Sequence, residues 1–230
     1  MRKLLFKAAA IFTLSMSFSA SSGVVIESTR YLYQEGSREI SAQMENKDDT
    51  PYLMKSWVEA PEGLTTSYFM VTPPLFRLEA KQKNTVRIFP NANISSAPSD
   101  RDSVFHFNVM SIPPTDSNAD SENKLQLAVR HRMRLIYRPK AIQNLSVDAE
   151  AKKLKWNKVN NKITVNNPTP FFIYFKSVKI QKKELSGTIV HVKPFSTESY
   201  TLPSNIDGRE MTWAIATEYG GAGSTYHTSI

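Results

Sequence analysis

The segment LQLAVRHRMRLIYRP at residues 125–139 alternates between a mainly apolar and a mainly basic face. Its odd positions are apolar except for His131, and its even positions carry Arg130, Arg132, Arg134 and Arg138. Period-two alternation predicts a β-strand. A strand of about fourteen residues is much longer than the usual ~5–6. Something must therefore cover its apolar face over an unusual length, and the arginine face must meet a partner or solvent.

The first 22 residues have the composition of a secretory signal peptide. A positively charged start precedes an apolar segment at residues 8–18, which is too short to span a bilayer. Small residues follow, with a cleavage site after Ser22 and an alternative one after Ser19. We therefore expect residues 1–22 to be a cleaved signal peptide and the remaining chain to be exported.

Charge and cysteine content limit the partners and the chemistry. The chain has 29 lysines and arginines against 21 aspartates and glutamates, and three of the cations lie in the predicted leader. This moderately basic balance hints at acidic partners, and nucleic acid is a poor match for an exported protein. The chain contains no cysteine, so its stability must come from packing and thiolate metal sites are excluded.

From residue 24 onward, short alternating segments separated by turn residues predict an all-β fold. REISAQMEN and YLMKSWVEA alternate as half-buried strands do, with turn residues at 36–37 and 47–49. About seven strands in some 115 residues is typical of an immunoglobulin-like sandwich. Arg138-Pro139 is predicted to be a stiff hinge, because proline fixes its own φ and pushes the preceding residue toward extended geometry. The alternation typical of strands resumes beyond it. We predict an N-terminal domain at residues 23–138 and a smaller all-β domain at residues 139–230.

No catalytic pattern accompanies these strands. The four histidines lack metal-ligand spacing, and the sequence has no nucleophile elbow and no phosphate-binding glycine loop. We expect no catalytic residue, no metal and no cofactor, so an enzyme is disfavoured. No segment after the leader is apolar for long enough to predict stable membrane insertion.

Four segments occur in an order that is typical of one family. They are TPPLFRLEAKQKNTVRIF at residues 72–89, SDRDSVFHFNVMSIPP at 99–114, RLIYRP at 134–139 and NNPTPFF at 166–172. On these segments the chain resembles the PapD-like periplasmic chaperones of fimbrial (pilus) assembly, in the short-loop branch. The resemblance covers residues 24–221. It implies two immunoglobulin-like β-sandwich domains in a boomerang arrangement, a periplasmic location, and pilus subunits and an outer-membrane usher as partners.

The resemblance gives the alternating strand a role as the donor strand, called G1. In this family G1 lends its edge to a pilus subunit whose own sandwich lacks a strand. Leu125, Leu127 and Val129 are then predicted to enter the subunit's groove, at about 1.5–3 kcal/mol for each fully buried side chain before the entropy of binding is subtracted. The alternative is that these three belong to the domain's own core. The later apolar positions, at 133, 135 and 137, are predicted to be internal core.

The resemblance also predicts an anchor for the subunit's C-terminal carboxylate. The family uses an Arg on the first strand, which maps to Arg30, and usually a Lys on G1, where this chain has Arg134. A guanidinium can hold a carboxylate with two parallel hydrogen bonds, but its reach differs from that of an ammonium. The anchoring geometry of this chain therefore departs from the family's pattern. Arg130 and Arg132 are predicted to form a solvated face.

A buried charge cluster between the domains is the third feature that the family implies. By position it consists of Asp102, Arg138 and Glu218, with the acid lengths exchanged at both carboxylate sites. We expect such a cluster to fix the interdomain angle more than it stabilises the fold, because desolvation offsets much of the attraction. The alternative is three unrelated surface charges.

Family analogy places usher docking near Thr72, Pro73 and Pro74. An exposed donor edge also suggests a homodimer that caps itself in the free state. Two other functions are alternatives: a fimbrial structural subunit or adhesin, and an exported carbohydrate-binding or hydrolytic sandwich. The first would need a free, alternating N-terminal extension and the second a convincing pair of carboxylates. The sequence therefore predicts a periplasmic, non-enzymatic chaperone.

Overall fold

The computed structural model describes residues 23–60, 67–115, 126–185, 187–203, 206 and 208–230. The predicted signal peptide lies outside these residues. The described chain forms two β-sandwiches in succession, which confirms the all-β, two-sandwich prediction. Within the described ranges no helix is long and apolar enough to cross a membrane.

Nine strands of the described chain build the N-terminal sandwich: β1 (Val24–Ile26), β2 (Arg30–Gln34), β3 (Ile40–Asn46), β4 (Tyr52–Glu59), β5 (Phe69–Thr72), β6 (Leu75–Leu78), β7 (Lys83–Pro90), β8 (Ser103–Ile112) and β9 (Val129–Arg138). A short 3-10 helix, Ala92–Ser96, lies between β7 and β8. One sheet has the order β1-β3-β7-β5 and the other β2-β9-β8-β4-β6. Strands β2 and β9 pair in parallel, so the first long strand lies beside the last.

Aromatic residues from both sheets fill the N-terminal core. Tyr33 and Phe69 meet edge to face with ring centroids 5.3 Å apart, and Phe69 meets Phe105 in the same way at 5.1 Å. Such edge-to-face pairs add to the free energy gained by burying the rings. Alternation along the strands points these rings inward and the charged residues outward.

The C-terminal sandwich contains the strands β10 (Lys155–Val159), β11 (Lys162–Asn167), β12 (Ile173–Ile180), β13 (Lys183–Glu184), β14 (His191–Val192), β15 (Ser196–Thr201), β16 (Glu210–Ala216) and β17 (Ala222–Ser229). One sheet has the order β10-β11-β15 and the other β13-β12-β16-β17, with β14 also paired to β12. A 3-10 turn, Lys140–Ile142, and a short helix α1, Val147–Ala151, connect the two sandwiches. This domain has its own core, separate from the N-terminal one.

Strand β9 begins at Val129, later than the alternation predicts. It runs antiparallel to β8, with Val129 opposite Ser111. Beyond the end of β8 stand Pro113 and Pro114, which have no N–H group with which to continue a ladder. Gln126 instead donates a side-chain hydrogen bond to the Pro113 carbonyl, at 2.7 Å. Residues 126–128 therefore follow the sheet without forming a strand.

The second half of β9 is buried as predicted. Met133, Leu135 and Tyr137 are 5%, 0% and 4% exposed, which confirms them as core. Their side chains point between the two sheets, so the arginines at the even positions lie on the outer face.

Candidate functional site

Strand β9 has neighbours on both sides along only part of its length. Strand β8 pairs with β9 from Val129 to Tyr137, whereas β2 pairs only from Arg134 to Arg138. Among the described residues, 129–133 therefore have a strand neighbour on one side only. The free edge presents backbone N–H and C=O groups that can pair with another chain.

Apolar side chains accompany this free edge. Leu127 and Val129 are 67% and 53% exposed, so neither is enclosed by its own domain. Together with Val24, Ile26 and Met133 they line a groove of about 500 Å³ between β1 and β9. The groove forms because β1 pairs with β3 in the opposite sheet and leaves this corner of the sandwich open. Leu125, the third predicted donor residue, lies outside the described residues.

Two arginines stand side by side where β2 and β9 begin to pair. Arg30 lies directly opposite Arg134 in the parallel register, and both side chains are half-buried. No ion pair joins either guanidinium to a carboxylate among the described residues. Burial lowers the pKa of Arg30, and the nearby charge of Arg134 lowers it further. Two like charges without an acid form a site that favours an anion.

The C-terminal domain supplies the opposite wall of this cation pair. Arg30 donates a hydrogen bond from Nη1 to the Thr217 carbonyl, at 2.7 Å. The guanidinium carbons of Arg30 and Arg134 lie 5.1 and 4.1 Å from the ring centroid of Tyr174. Burial raises the pKa of Tyr174, and the two arginines oppose that rise. Sequence reasoning missed Tyr174 and Thr217, because their contacts to the arginines cross between domains and leave no local pattern.

The structure brings Asp102, Arg138 and Glu218 together in one cluster. Arg138 donates from Nε and Nη2 to the two carboxylate oxygens of Asp102, both at 3.0 Å, and from Nη1 to Glu218. The Arg138 and Asp102 side chains are 4% and 1% exposed. Burial raises the pKa of Asp102, and the hydrogen bonds from Arg138 oppose that rise.

Further contacts between the domains surround this cluster. The Arg138 guanidinium lies over the Phe171 ring at 4.6 Å, and the Asp102 backbone N–H donates to the Pro170 carbonyl at 2.9 Å. Residues of both domains thus enclose Arg138 at the junction.

Arg130 and Arg132 are exposed on the outer face, as predicted, but they are not simply solvated. Both form ion pairs with Glu59 of β4. Arg130 also bonds the Asn108 side chain and lies over the Trp57 ring at 5.1 Å. These contacts cross three strands, so the alternation within one strand could not predict them.

The segment predicted to meet an usher forms an exposed turn between β5 and β6. Thr72 and Pro74 are exposed, and the Thr72–Pro73 peptide bond is cis. Met70 and Leu75 on either side are 56% and 57% exposed, which gives the turn an apolar surface.

Together these features suit binding rather than bond chemistry. An unpaired edge, an apolar groove and two guanidiniums without an acid can receive an extended segment that ends in a carboxylate. The described residues contain no group of three or more His, Asp or Glu side chains that could hold a metal ion.

Two family models match nearly the whole described chain. The model for the N-terminal domain of the PapD pili and flagellar-assembly chaperones matches residues 23–143. The model for the C-terminal domain of the pili assembly chaperone PapD matches residues 149–227.

Individual relatives agree with these matches. The chain is 35% identical over 201 residues to the chaperone protein FocC of Escherichia coli, covering 86% of each chain. It is also 35% identical over 202 residues to the chaperone protein FimC of Escherichia coli K12, covering 87% of this chain and 82% of that one. Among solved structures, a chain in the complex of the Salmonella enterica SafA pilin with the SafB chaperone superposes with a TM-score of 0.82, at 28% identity, over 93% of this chain and 99% of that chain. The Escherichia coli chaperone DraB superposes with a TM-score of 0.79, at 30% identity, over 90% and 98%.

Proposed function

This chain belongs to the family of PapD-like pilus assembly chaperones, and on that premise we propose that it binds pilus subunits in the periplasm by lending them the free edge of β9. It does so without catalysing a reaction. The observation that carries the proposal is the combination of a half-open strand with two adjacent arginines that have no acidic partner among the described residues. Residues 23–138 and 139–230 act as the two domains that enclose the subunit's end.

The first half of β9 completes the subunit's unfinished sandwich. Backbone groups of residues 129–133 pair with a subunit strand, while Leu127, Val129 and Leu125 enter the subunit's groove. Because Leu127 and Val129 are more than half exposed in the free chain, covering them with a subunit removes apolar surface from water and stabilises the complex.

Arg30 and Arg134 anchor the subunit's C-terminal carboxylate. A carboxylate placed between them supplies the negative charge that the cation pair lacks, and the planar guanidiniums can donate two parallel hydrogen bonds each. The anchor fixes the position of the subunit's last residue, and thereby the register of its last strand along β9. The Asp102, Arg138 and Glu218 cluster holds the two domains at the angle that this geometry requires.

Release to the outer-membrane usher needs a surface that the subunit leaves free. The exposed turn at Thr72, Pro73 and Pro74, with its apolar neighbours, supplies such a surface. It connects β5 and β6, which lie at the edge of the sandwich away from β2 and β9. This transfer requires no ATP if the subunit is more stable when completed by its final strand partner than when completed by β9. In the absence of a subunit, a second copy of the chaperone covers the free edge, and sedimentation at increasing protein concentration tests for such a dimer.

The test is co-expression of candidate pilus subunits with the wild-type chaperone and with the Arg30→Ala and Arg134→Ala variants. We expect the wild type to protect a subunit from periplasmic proteolysis. Either variant should fold normally but lose that protection, because a charge-assisted hydrogen bond contributes about 1.5–3 kcal/mol. Lys162→Ala, which removes an exposed cation from β11 of the other domain, is the matched control. Full protection by both arginine variants would contradict the anchor.

A further inference from the structure

A single aromatic ring of the C-terminal domain lies beneath both anchor arginines of the N-terminal domain. The Tyr174 ring centroid is 4.1 Å from the guanidinium carbon of Arg134 and 5.1 Å from that of Arg30. A cation held this close to a ring face is attracted by the electron density of the ring, more strongly where water is excluded. Tyr174 is 7% exposed, so water is largely excluded here.

Neighbouring rings and the strand pairing hold the Tyr174 ring in place. Strand β14 pairs with β12 so that His191 stands directly opposite Tyr174, and the two ring centroids are 5.6 Å apart. Phe172 stacks at 6.3 Å with an interplanar angle of 18°. The ring is therefore a rigid platform rather than a side chain that adapts to the arginines.

Without such a platform the two arginines would separate. They are like charges on adjacent strands, and in the part of the chain that the structure describes no acid neutralises them. The Thr217 carbonyl holds Arg30 through its Nη1 hydrogen bond, at 2.7 Å. The guanidinium of Arg134 lies 4.1 Å from the Tyr174 ring centroid, the shortest cation–ring distance among the described residues.

We propose that Tyr174 is a positioning residue that orients both guanidiniums for in-plane capture of a terminal carboxylate. This inference rests on the proposed function and names a further residue in it. A guanidinium that stacks on a ring keeps the N–H groups at its edge free to meet the two oxygens of a carboxylate. Arg at position 134 can stack in this way, whereas an ammonium is a compact point charge without a plane. Tyr174 thus makes Arg134 an effective anchor and ties that anchor to the position of the C-terminal domain.

The binding experiment uses a synthetic peptide with the C-terminal strand of a subunit that the wild-type chaperone protects in co-expression. The peptide is made once with a free carboxylate and once as the C-terminal amide. We expect Tyr174→Leu to weaken binding of the free acid about tenfold and to leave binding of the amide unchanged, while Tyr174→Phe, which keeps the ring, restores acid binding. Tyr219→Leu is the control, because Tyr219 is 72% exposed in the same domain.

A double-mutant cycle keeps the test decisive if Tyr174→Leu folds poorly. Arg134→Lys preserves the charge and leaves Tyr174 in place, and we expect it to weaken acid binding several-fold. Adding Tyr174→Phe to Arg134→Lys should then change nothing further. In the free protein, NMR should show the Arg134 side-chain protons shifted upfield by the ring in the wild type and in Tyr174→Phe.

Three results would overturn the positioning role. The first is equal binding of the free acid by the wild type and Tyr174→Leu. The second is wild-type binding by Arg134→Lys. The third is an equal loss for acid and amide, which would indicate a general disturbance of the site. The proposed function fails by a different result: no subunit is protected by the wild type, or Arg30→Ala and Arg134→Ala bind the free acid normally.

Discussion

The two halves of strand β9 differ in what they leave unsatisfied. Residues 129–133 have a free backbone edge and two exposed apolar side chains nearby, and Arg134, where pairing with β2 begins, has no acid beside it in the described chain. Residues 135–138 are buried, 135–137 are paired on both sides, and the strand ends at an arginine with two carboxylates. Arg134 and Arg138 lie four residues apart, two periods of the strand alternation, yet among the described residues Arg134 has no acidic partner and Arg138 has two.

The paired end of β9 maintains the fold, whereas the open end is available for binding. A buried charge that finds its partners within the chain maintains the fold, since removing one partner leaves an uncompensated charge. A cation placed against a like charge gives the free protein little stability, and an anion from outside the chain can neutralise it. The same logic applies to the backbone, because a paired edge holds a sheet together and a free edge invites another strand.

Among the charge substitutions, the largest effect is expected from removing an acid that pairs with Arg138 at the closed end of β9. Asp102→Ala should lower the free energy of unfolding by about 3 kcal/mol, since Arg138 stays buried and Glu218 is its one remaining acidic partner in the described chain. Urea unfolding followed by tryptophan fluorescence measures the change.

Arg134→Ala is the control for that prediction, because it lies on the same strand face. It removes a repulsion with Arg30, so stability should change by no more than about 0.5 kcal/mol. Asp100→Ala, which removes an exposed carboxylate paired only with Arg101 in the described chain, should be equally mild. Equal losses for Asp102→Ala and Arg134→Ala would erase the proposed difference between the two halves.

A smaller effect is expected at the open end of β9. Val129→Ser should reduce affinity for a pilus subunit by about 1 kcal/mol, or roughly fivefold, because a half-exposed valine gains further burial only in the complex. Stability of the free chaperone should not change. Isothermal titration with a protected subunit's C-terminal peptide, together with urea unfolding, measures both quantities.

Leu135→Ala should behave in the opposite way, as the matched variant in the closed half. Leu135 is fully buried, so its truncation should destabilise the chaperone by about 2–5 kcal/mol. If Val129→Ser destabilised the free protein to a similar extent, residue 129 would belong to the chaperone's own core.

Much of the fold could be predicted from the sequence because it depends on local alternation. The apolar positions 133, 135 and 137 share one parity and point into the core, and turn residues between strands mark successive short elements. The start of β9 could not be read from that alternation alone. It depends on the register with β8, which brings Pro113 and Pro114 opposite the residues before Val129.

The candidate site was predictable only where the family pattern names positions. Arg30, Arg134, Asp102, Arg138 and Glu218 were identified in that way, and the structure shows which of them meet. Tyr174 carries no signal in its own strand, since its role depends on how the C-terminal domain packs against β2 and β9. The pairing of Arg130 and Arg132 with Glu59 likewise depends on strand order, which alternation does not encode.

The smallest effect is expected from pH, through His191, which lies opposite Tyr174 in the C-terminal domain. Burial lowers the pKa of His191. The nearby charge of Glu198 opposes that shift, and the charges of Arg134 and Lys193 add to it. In the unfolded chain this histidine titrates near its ordinary value of about 6.5. As the pH falls below that value, the unfolded chain takes up a proton before the folded one does, so stability should decrease until the folded histidine is also protonated.

The measurement is the urea midpoint at pH of about 7.5 and about 5.5, for the wild type and for His191→Gln. The wild type should lose more stability on acidification than the variant, because glutamine has no proton to accept. His227→Gln, on an exposed position of β17, should keep the full acid sensitivity of the wild type. An identical loss in wild type and His191→Gln would mean that burial and the nearby charge of Arg134 do not lower the pKa of His191.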